Sequence, residues 1–67
     1  MNREDKTVVR IWKAPKGAEA KYVTVTAEGK LVHAYASLAD IRKFYAPQIK
    51  LGIVELRREL EKTYKRS

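Results

Sequence analysis

The sequence predicts a small α+β domain in which a three-stranded antiparallel sheet is followed by two helices. Two alternating runs of β-forming residues meet at Glu28 and Gly29, as in a β-hairpin, and a similar run precedes them. After Ser37 the apolar residues recur every three or four positions, which is the helical period. The predicted elements are strands over 7–14, 21–27 and 30–36, in the order 1-2-3, a short helix over 38–46 and a longer helix over 49–64.

The first predicted strand, residues 7–14, reads TVVRIWKA and is rich in β-branched and aromatic residues. Apolar and polar or aromatic residues alternate along it, so its two faces differ in chemistry. We expect Val9 and Ile11 to join the apolar face of the sheet, and Arg10 and Trp12 to point to the opposite face.

A basic connection follows this strand. Pro15 and Gly17 favour a turn, because proline presets φ and glycine accepts positive φ. Lys16 and Lys21 then lie in a loop that is able to follow a phosphate backbone. A solvated loop that keeps a sheet edge soluble fits the same residues.

The next two strands form the predicted hairpin, and its two faces differ in chemistry. With Glu28 and Gly29 at the turn, one face is aliphatic and the other is polar and aromatic. The aliphatic face consists of Val23, Val25, Val32 and Ala34. The other face consists of Tyr22, Thr24, Thr26, His33 and Tyr35. The expected cross-strand pairs are Val25 with Val32, Thr24 with His33, Val23 with Ala34 and Tyr22 with Tyr35. We expect the first helix to cover the aliphatic face.

Ser37 marks the start of the first helix, because its hydroxyl can accept a hydrogen bond from an orphan backbone N–H and Asp40 complements the helix dipole. We expect this helix to end near Ala46, since Pro47 disfavours helical geometry in the residue before it. The second helix would carry an apolar seam of Ile49, Ile53, Leu56, Leu60 and Tyr64. Gly52 weakens a helix, so a boundary at Gly52 is the alternative.

The length of the chain and its net charge indicate how many domains it has and which class of partner it binds. The chain has 67 residues and is read as one domain, residues 1–67, with a net charge of +7 at pH 7 from 15 Lys and Arg against 8 Asp and Glu. Such an excess is typical of proteins that bind polyanions, because neutralising phosphates releases condensed counterions. Acidic proteins and anionic lipids are alternative partners for a basic chain. The high charged fraction also favours a thermophilic origin.

The residue types needed for catalysis are scarce. The sequence has one histidine, His33, and no cysteine, and its glycines are isolated. We therefore predict a protein that is not an enzyme and that uses no metal, no cofactor and no small-molecule substrate. No apolar run approaches the roughly 18 residues of a membrane span, and the start of the chain lacks the apolar stretch of a signal peptide, so we expect a cytoplasmic protein that does not bind membranes.

The best functional prediction is nucleic-acid binding, to DNA or RNA, through a basic and aromatic sheet face. Aromatic rings stack on bases and cations attract phosphates. The candidate contact residues are Arg10, Trp12, Lys13, Lys16, Lys21, Tyr22, Lys30, His33 and Tyr35. The same aromatic residues are equally compatible with a second small core under the C-terminal helix.

The alternative function is a protein-interaction or homodimerisation module. Here the helical seam of Ile49, Ile53, Leu56, Leu60 and Tyr64 would pair with a second copy or dock on a partner. The two functions are compatible, because a dimer would double the charged surface.

The predicted element order across residues 7–46, three antiparallel strands and then a capped helix, resembles the sheet-reading DNA-binding domains of plant ethylene-response factors and of phage-type integrase arms. The resemblance is one of element order and identifies no contact residue.

Overall fold

The structure is a computed structural model that describes residues 6–65. Its elements are β1 (Thr7–Lys13), β2 (Tyr22–Val25), β3 (Leu31–Tyr35), α1 (Leu38–Lys50) and β4 (Val54–Thr63). The described strands form one mixed sheet in the order β3-β2-β1-β4, in which β1, β2 and β3 are antiparallel neighbours and β4 runs parallel to β1. The molecule is a small, compact α+β domain, but the predicted three-stranded sheet with two helices is wrong.

The fourth strand replaces the predicted helix over 49–64. Pairing with β1 runs from Thr7 opposite Val54 to Ile11 opposite Arg58, and after an irregularity it resumes at Lys13 opposite Thr63. The residues of β4 are good helix formers with helical apolar spacing, so local preference alone favours a helix. However, the outer side of β1 presents a row of backbone N–H and C=O groups that a strand can satisfy and a helix cannot. Tertiary pairing therefore overrides the local preference.

The helix α1 begins at the predicted cap, where the backbone N–H of Asp40 donates to Ser37 Oγ at 3.2 Å. It does not end near Ala46, because Pro47 lies inside it and the helix continues to Lys50. Proline removes one helical hydrogen bond, and this costs least where water can reach the carbonyl that loses its donor. Pro47 and Lys43, whose carbonyl loses that donor, are both exposed.

Gly52 is the residue that ends α1. Its φ is +78°, the left-handed region that glycine adopts without strain. The N–H groups of Gly52 and Ile53 donate to the carbonyls of Ile49 and Gln48, each at 3.0 Å. This is the Schellman arrangement, which satisfies the last helical carbonyls and turns the chain toward β4.

The hairpin of β2 and β3 has the predicted register over most of its length. The pairs Tyr22 with Tyr35, Val23 with Ala34 and Thr24 with His33 are confirmed, whereas Val25 pairs with Leu31 instead of Val32. The turn is longer than two residues: the N–H of Gly29 donates to the carbonyl of Thr26, and the N–H of Thr26 donates to the carbonyl of Lys30, both at 2.9 Å. A turn of this length commonly ends in a β-bulge, which shifts the last pair.

The predicted position of β1 relative to the hairpin is reversed. Ile11 pairs with Thr24, and Trp12 pairs with Val23. Directly opposed residues point to the same side of a sheet, so Ile11 shares a side with the hairpin's tyrosines and Trp12 shares a side with its valines. A shift of one residue in pairing exchanges the two faces of a strand, and the long connection of residues 14–21 does not fix that register.

The helix α1 packs against the side of the sheet that carries Ile11 and Thr24. On this side Ile41 of α1 and Thr24 are fully buried, and Ile11 is 2% exposed. We call this side the helix face: Val9, Ile11, Tyr22, Thr24, His33, Tyr35, Leu56 and Arg58. We call the opposite side the open face: Arg10, Trp12, Val23, Val25, Ala34, Arg57 and Glu59. In the described chain, no helix is long and apolar enough to cross a membrane.

Candidate nucleic-acid interface

The predicted contact residues are distributed over both faces and both ends of the sheet. The helix face receives Tyr22, His33 and Tyr35. The open face receives Arg10 and Trp12. The end of the sheet at the β1–β2 connection receives Lys13, Lys16 and Lys21, and the β2–β3 turn receives Lys30. They do not form the single basic, aromatic surface that the sequence suggests.

Among the aromatic residues of the helix face, Tyr35 packs against α1. The ring of Tyr35 lies 6.1 Å from that of Phe44 in α1 and 4.9 Å from that of His33. Burial raises the pKa of Tyr35, and the neighbouring Tyr45 raises it further. Tyr35 is therefore a structural contact between sheet and helix, although His33 beside it is exposed.

On the open face, Glu59 of β4 holds both Arg10 and Trp12. Arg10 Nη1 donates to Glu59 Oε2, and Trp12 Nε1 donates to Glu59 Oε1, each at 2.9 Å. Lys62 Nζ lies 5.4 Å from the centre of the indole and 4.0 Å from Glu59 Oε1. The hydrogen bond from Trp12 lowers the pKa of Glu59, and the charges of Arg10 and Lys62 lower it further.

The indole of Trp12 extends from this cluster across the open face. Its Cη2 atom lies 3.5 Å from the position that a Cβ on Gly29 would occupy. The ring thus reaches from the Glu59 carboxylate on β4 to the β2–β3 turn. Val23 and Val25 in the intervening strand are 3% and 1% exposed, although no helix of residues 6–65 lies on that side. We attribute this burial to the indole and to the β1–β2 connection.

A shallow apolar groove lies on the open face beside the β1–β2 connection. Its cavity has a volume of about 430 Å³. We call it the alanine groove, and its defining residues are Ala14, Ala18, Ala20, Leu31, Ala34 and Tyr64. The N–H of Ala14 donates to the carbonyl of Lys21 at 3.0 Å, and the N–H of Tyr64 donates to the carbonyl of Lys13 at 2.9 Å. These bonds hold the connection and Tyr64 on either side of β1.

Four lysines are sequence neighbours of residues that line the alanine groove. Lys13, Lys16 and Lys21 flank or lie in the β1–β2 connection, and Lys65 follows Tyr64. All four are exposed, and none forms an ion pair within residues 6–65. We call this set the lysine rim: Lys13, Lys16, Lys21 and Lys65. The arrangement combines an apolar floor, an aromatic ring and unneutralised positive charge.

The predicted helical seam does not exist as a surface, because its residues lie in different elements. Ile49 in α1 and Ile53 in the following turn are 37% and 51% exposed. Leu56 and Leu60 lie in β4, and Tyr64 lines the alanine groove. Sequence reasoning placed Tyr64 in the helix and missed its place in the groove. The signal available in the sequence was the alanine-rich composition of a loop that also carries lysines.

The part of the chain that the structure describes brings no three His, Asp or Glu side chains together as a metal site requires. Comparisons with protein families, with curated proteins and with solved structures find no match to this chain.

Proposed function

We propose that this protein binds nucleic acid without catalysis, and that the alanine groove and the lysine rim are its contact surface. The observation that carries the proposal is an apolar groove containing Tyr64, in which four lining residues each have an exposed lysine as sequence neighbour. These lysines form no ion pair among the described residues. A net charge of +7 supports an anionic partner.

The chemistry of the groove favours a single strand. Alanine side chains leave room for a flat base to approach the backbone, and a tyrosine ring provides a stacking partner. In a duplex the faces of the bases are already stacked on one another, so a groove of this kind has access to them only in an unpaired strand. Lysine contributes point charges along a phosphate backbone, and contacts to phosphates carry no direct sequence information. We therefore propose binding that tolerates many sequences.

Arg10 and Trp12 take a supporting role in this proposal. Glu59 occupies the indole N–H and one guanidinium nitrogen, so neither side chain is a mobile contact. Trp12 lies opposite Val23 in the sheet, and Val23 also lines the alanine groove. Arg10 and Trp12 thus fix the floor on which a base would lie.

The first test is a fluorescence titration of labelled single-stranded DNA, single-stranded RNA and a duplex of the same sequence. At roughly 50 mM and 200 mM salt, the slope of log K against log salt for the single strands should be about −0.7 per phosphate neutralised. Single strands should bind more tightly than the duplex. Binding weaker than about 10⁻⁶ M to every oligonucleotide at low salt would refute the proposal.

The second test uses variants with the same change in charge. Lys16→Ala with Lys21→Ala should weaken single-strand binding and reduce the salt slope by about 1.4, since each lysine accounts for about 0.7. The matched control is Lys43→Ala with Lys50→Ala in α1, which removes two charges away from the groove. An equal loss in the control would mean that net charge alone attracts the strand.

Tyr64 tests the stacking part of the proposal. Tyr64→Leu should weaken single-strand binding by about 1–3 kcal/mol, whereas Tyr64→Phe retains a ring and should bind nearly as the parent does. Equal affinity for all three proteins would remove Tyr64 from the interface.

Homodimerisation and a cytoplasmic location stay separate predictions. Without a C-terminal helix, a dimer needs a surface other than the predicted seam. Sedimentation at several protein concentrations measures the oligomeric state directly.

A further inference from the structure

We propose that Arg42 and Arg58 form a phosphate-binding site on the helix face, separate from the alanine groove. Both arginines line a cavity of about 210 Å³ between α1 and β4. The other lining residues are Ile11, Leu38 and Leu56. The site does not depend on the proposed function of the groove, because the two lie on opposite sides of the sheet.

The fold brings these two arginines to the same cavity because each lies on the side of its helix or strand that faces it. Leu38 and Arg42 are four residues apart in α1 and therefore lie on one side of the helix. Leu56 and Arg58 are two residues apart in β4 and therefore lie on one side of the strand. Each arginine thus stands beside a leucine, and Ile11, 2% exposed, forms the floor between them.

The charge at this site is not neutralised by the protein. No carboxylate of the described chain lines the cavity, and neither Arg42 nor Arg58 forms an ion pair within residues 6–65. The other two arginines of that range behave differently: Arg10 pairs with Glu59 at 2.9 Å and Arg57 pairs with Glu55 at 3.7 Å.

Neighbouring acids point away from the cavity. Asp40 is two residues from Arg42, which places it about 160° around the helix, on the far side. Glu55 pairs with Val8 and Glu59 holds Trp12, so both belong to the open face. Two positive charges beside one small cavity repel each other. An anion bound between them adds two attractive interactions that offset this repulsion.

The ligand class follows from the guanidinium geometry and the size of the cavity. Each guanidinium presents a planar fork of N–H donors that matches two oxygens of a phosphate. Pockets for drug-sized ligands have volumes of about 300–1,000 Å³, and this cavity is smaller, which suits a phosphate group and not a whole nucleotide. The phosphate belongs either to a small molecule or to a nucleic-acid backbone, and the experiment distinguishes these sources.

The experiment is an NMR titration of the full chain with inorganic phosphate at constant ionic strength. We expect saturable shifts of amide signals around Arg42 and Arg58, and about a tenfold loss of affinity in Arg58→Ala, as expected when a charge-assisted hydrogen-bonding partner is removed. The matched control is Arg57→Ala, which removes the same charge from the adjacent residue on the open face. Arg42→Ala and Lys43→Ala form a second such pair in α1.

Arg58→Lys keeps the charge but removes the fork, and it remains informative if Arg58→Ala does not fold. It should bind phosphate more weakly than the parent and more tightly than Arg58→Ala. An equal loss of affinity in Arg57→Ala would overturn the site.

The second part of the experiment uses the Lys16→Ala, Lys21→Ala double variant, which lacks two of the four charges of the lysine rim. A single-stranded oligonucleotide without a terminal phosphate is titrated into this protein. Shifts at Arg42 and Arg58 that Arg58→Ala abolishes would identify a phosphodiester as the source. Shifts with inorganic phosphate alone would identify a small phosphate compound. The absence of both would overturn the inference and leave the test of the alanine groove unaffected.

Discussion

The two faces of the sheet bury their apolar residues by different means. On the helix face, α1 lies across the strands and Ile41 is fully buried. On the open face, Val23 and Val25 are almost as well buried, and the large side chain beside them is the indole of Trp12, which lies opposite Val23. The first face is stabilised by contact between two layers, which depends on apolar area. The second depends on the position of Trp12, which is held by the Glu59 carboxylate.

This difference shows how a short chain can bury both sides of a sheet with one helix. Trp12, fixed at its polar end by Glu59, lies opposite Val23 on the face that α1 does not cover. The consequence is that the helix face should respond mainly to lost volume and the open face to pH.

The largest effect should come from the helix face. Ile41→Ala removes a fully buried side chain and should lower the free energy of unfolding by about 2–5 kcal/mol, because a cavity remains. Ile49→Ala in the same helix is the matched control, and since Ile49 is 37% exposed its loss should be much smaller. Urea unfolding followed by circular dichroism measures both. Equal losses would mean that α1 does not bury Ile41 as described.

A smaller effect, dependent on pH, should come from Glu59. Its pKa is lowered in the folded state, so the unfolded chain binds more protons in the acid range. The stabilisation is complete above the unfolded value of about 4.3 and is lost as the pH falls through the folded pKa. Glu59→Gln should reduce stability at neutral pH and flatten this acid-induced loss, with a shift in the emission of Trp12.

The control for Glu59 is Glu55→Gln, the same substitution at an exposed carboxylate of β4 that pairs with Arg57. A surface pair contributes little, so this variant should keep the acid sensitivity of the parent. If both variants lose stability equally with pH, the indole is not held by Glu59.

The smallest effect should be the difference in stability between alanine substitutions at two glycines that have similar backbone angles. Gly29 and Gly52 have φ of +84° and +78°, so alanine at either position should cost about 1–2 kcal/mol of stability. A Cβ at Gly29 would meet Trp12 Cη2 at 3.5 Å, an ordinary contact, whereas one at Gly52 meets nothing within 4 Å. Gly29→Ala should therefore cost a few tenths of a kcal/mol less, through the added dispersion contact. A larger cost at Gly29, by thermal unfolding, would mean that the indole crowds the turn.

Several features were predictable because they are decided within a few residues. Alternation and turn residues located the hairpin, including the pairing of Tyr22 with Tyr35. Ser37 located the start of α1, since a cap acts on the next three residues. The candidate lysines of the β1–β2 connection also followed from the sequence. The hydrogen bond from Tyr64 N–H to the carbonyl of Lys13 did not, because Tyr64 reaches β1 only through β4.

The sequence by itself determined the first three strands, the hairpin and the start of the helix, because turn chemistry, alternation and capping act over short distances. Only the tertiary structure decided that residues 54–63 form a strand, since hydrogen bonding to the edge of β1 stabilises them more than their local helical preference does. It also decided that Trp12 lies with the valines and not with the tyrosines. A long connection leaves the register of β1 open, and a shift of one residue moves every side chain of a strand to the other face.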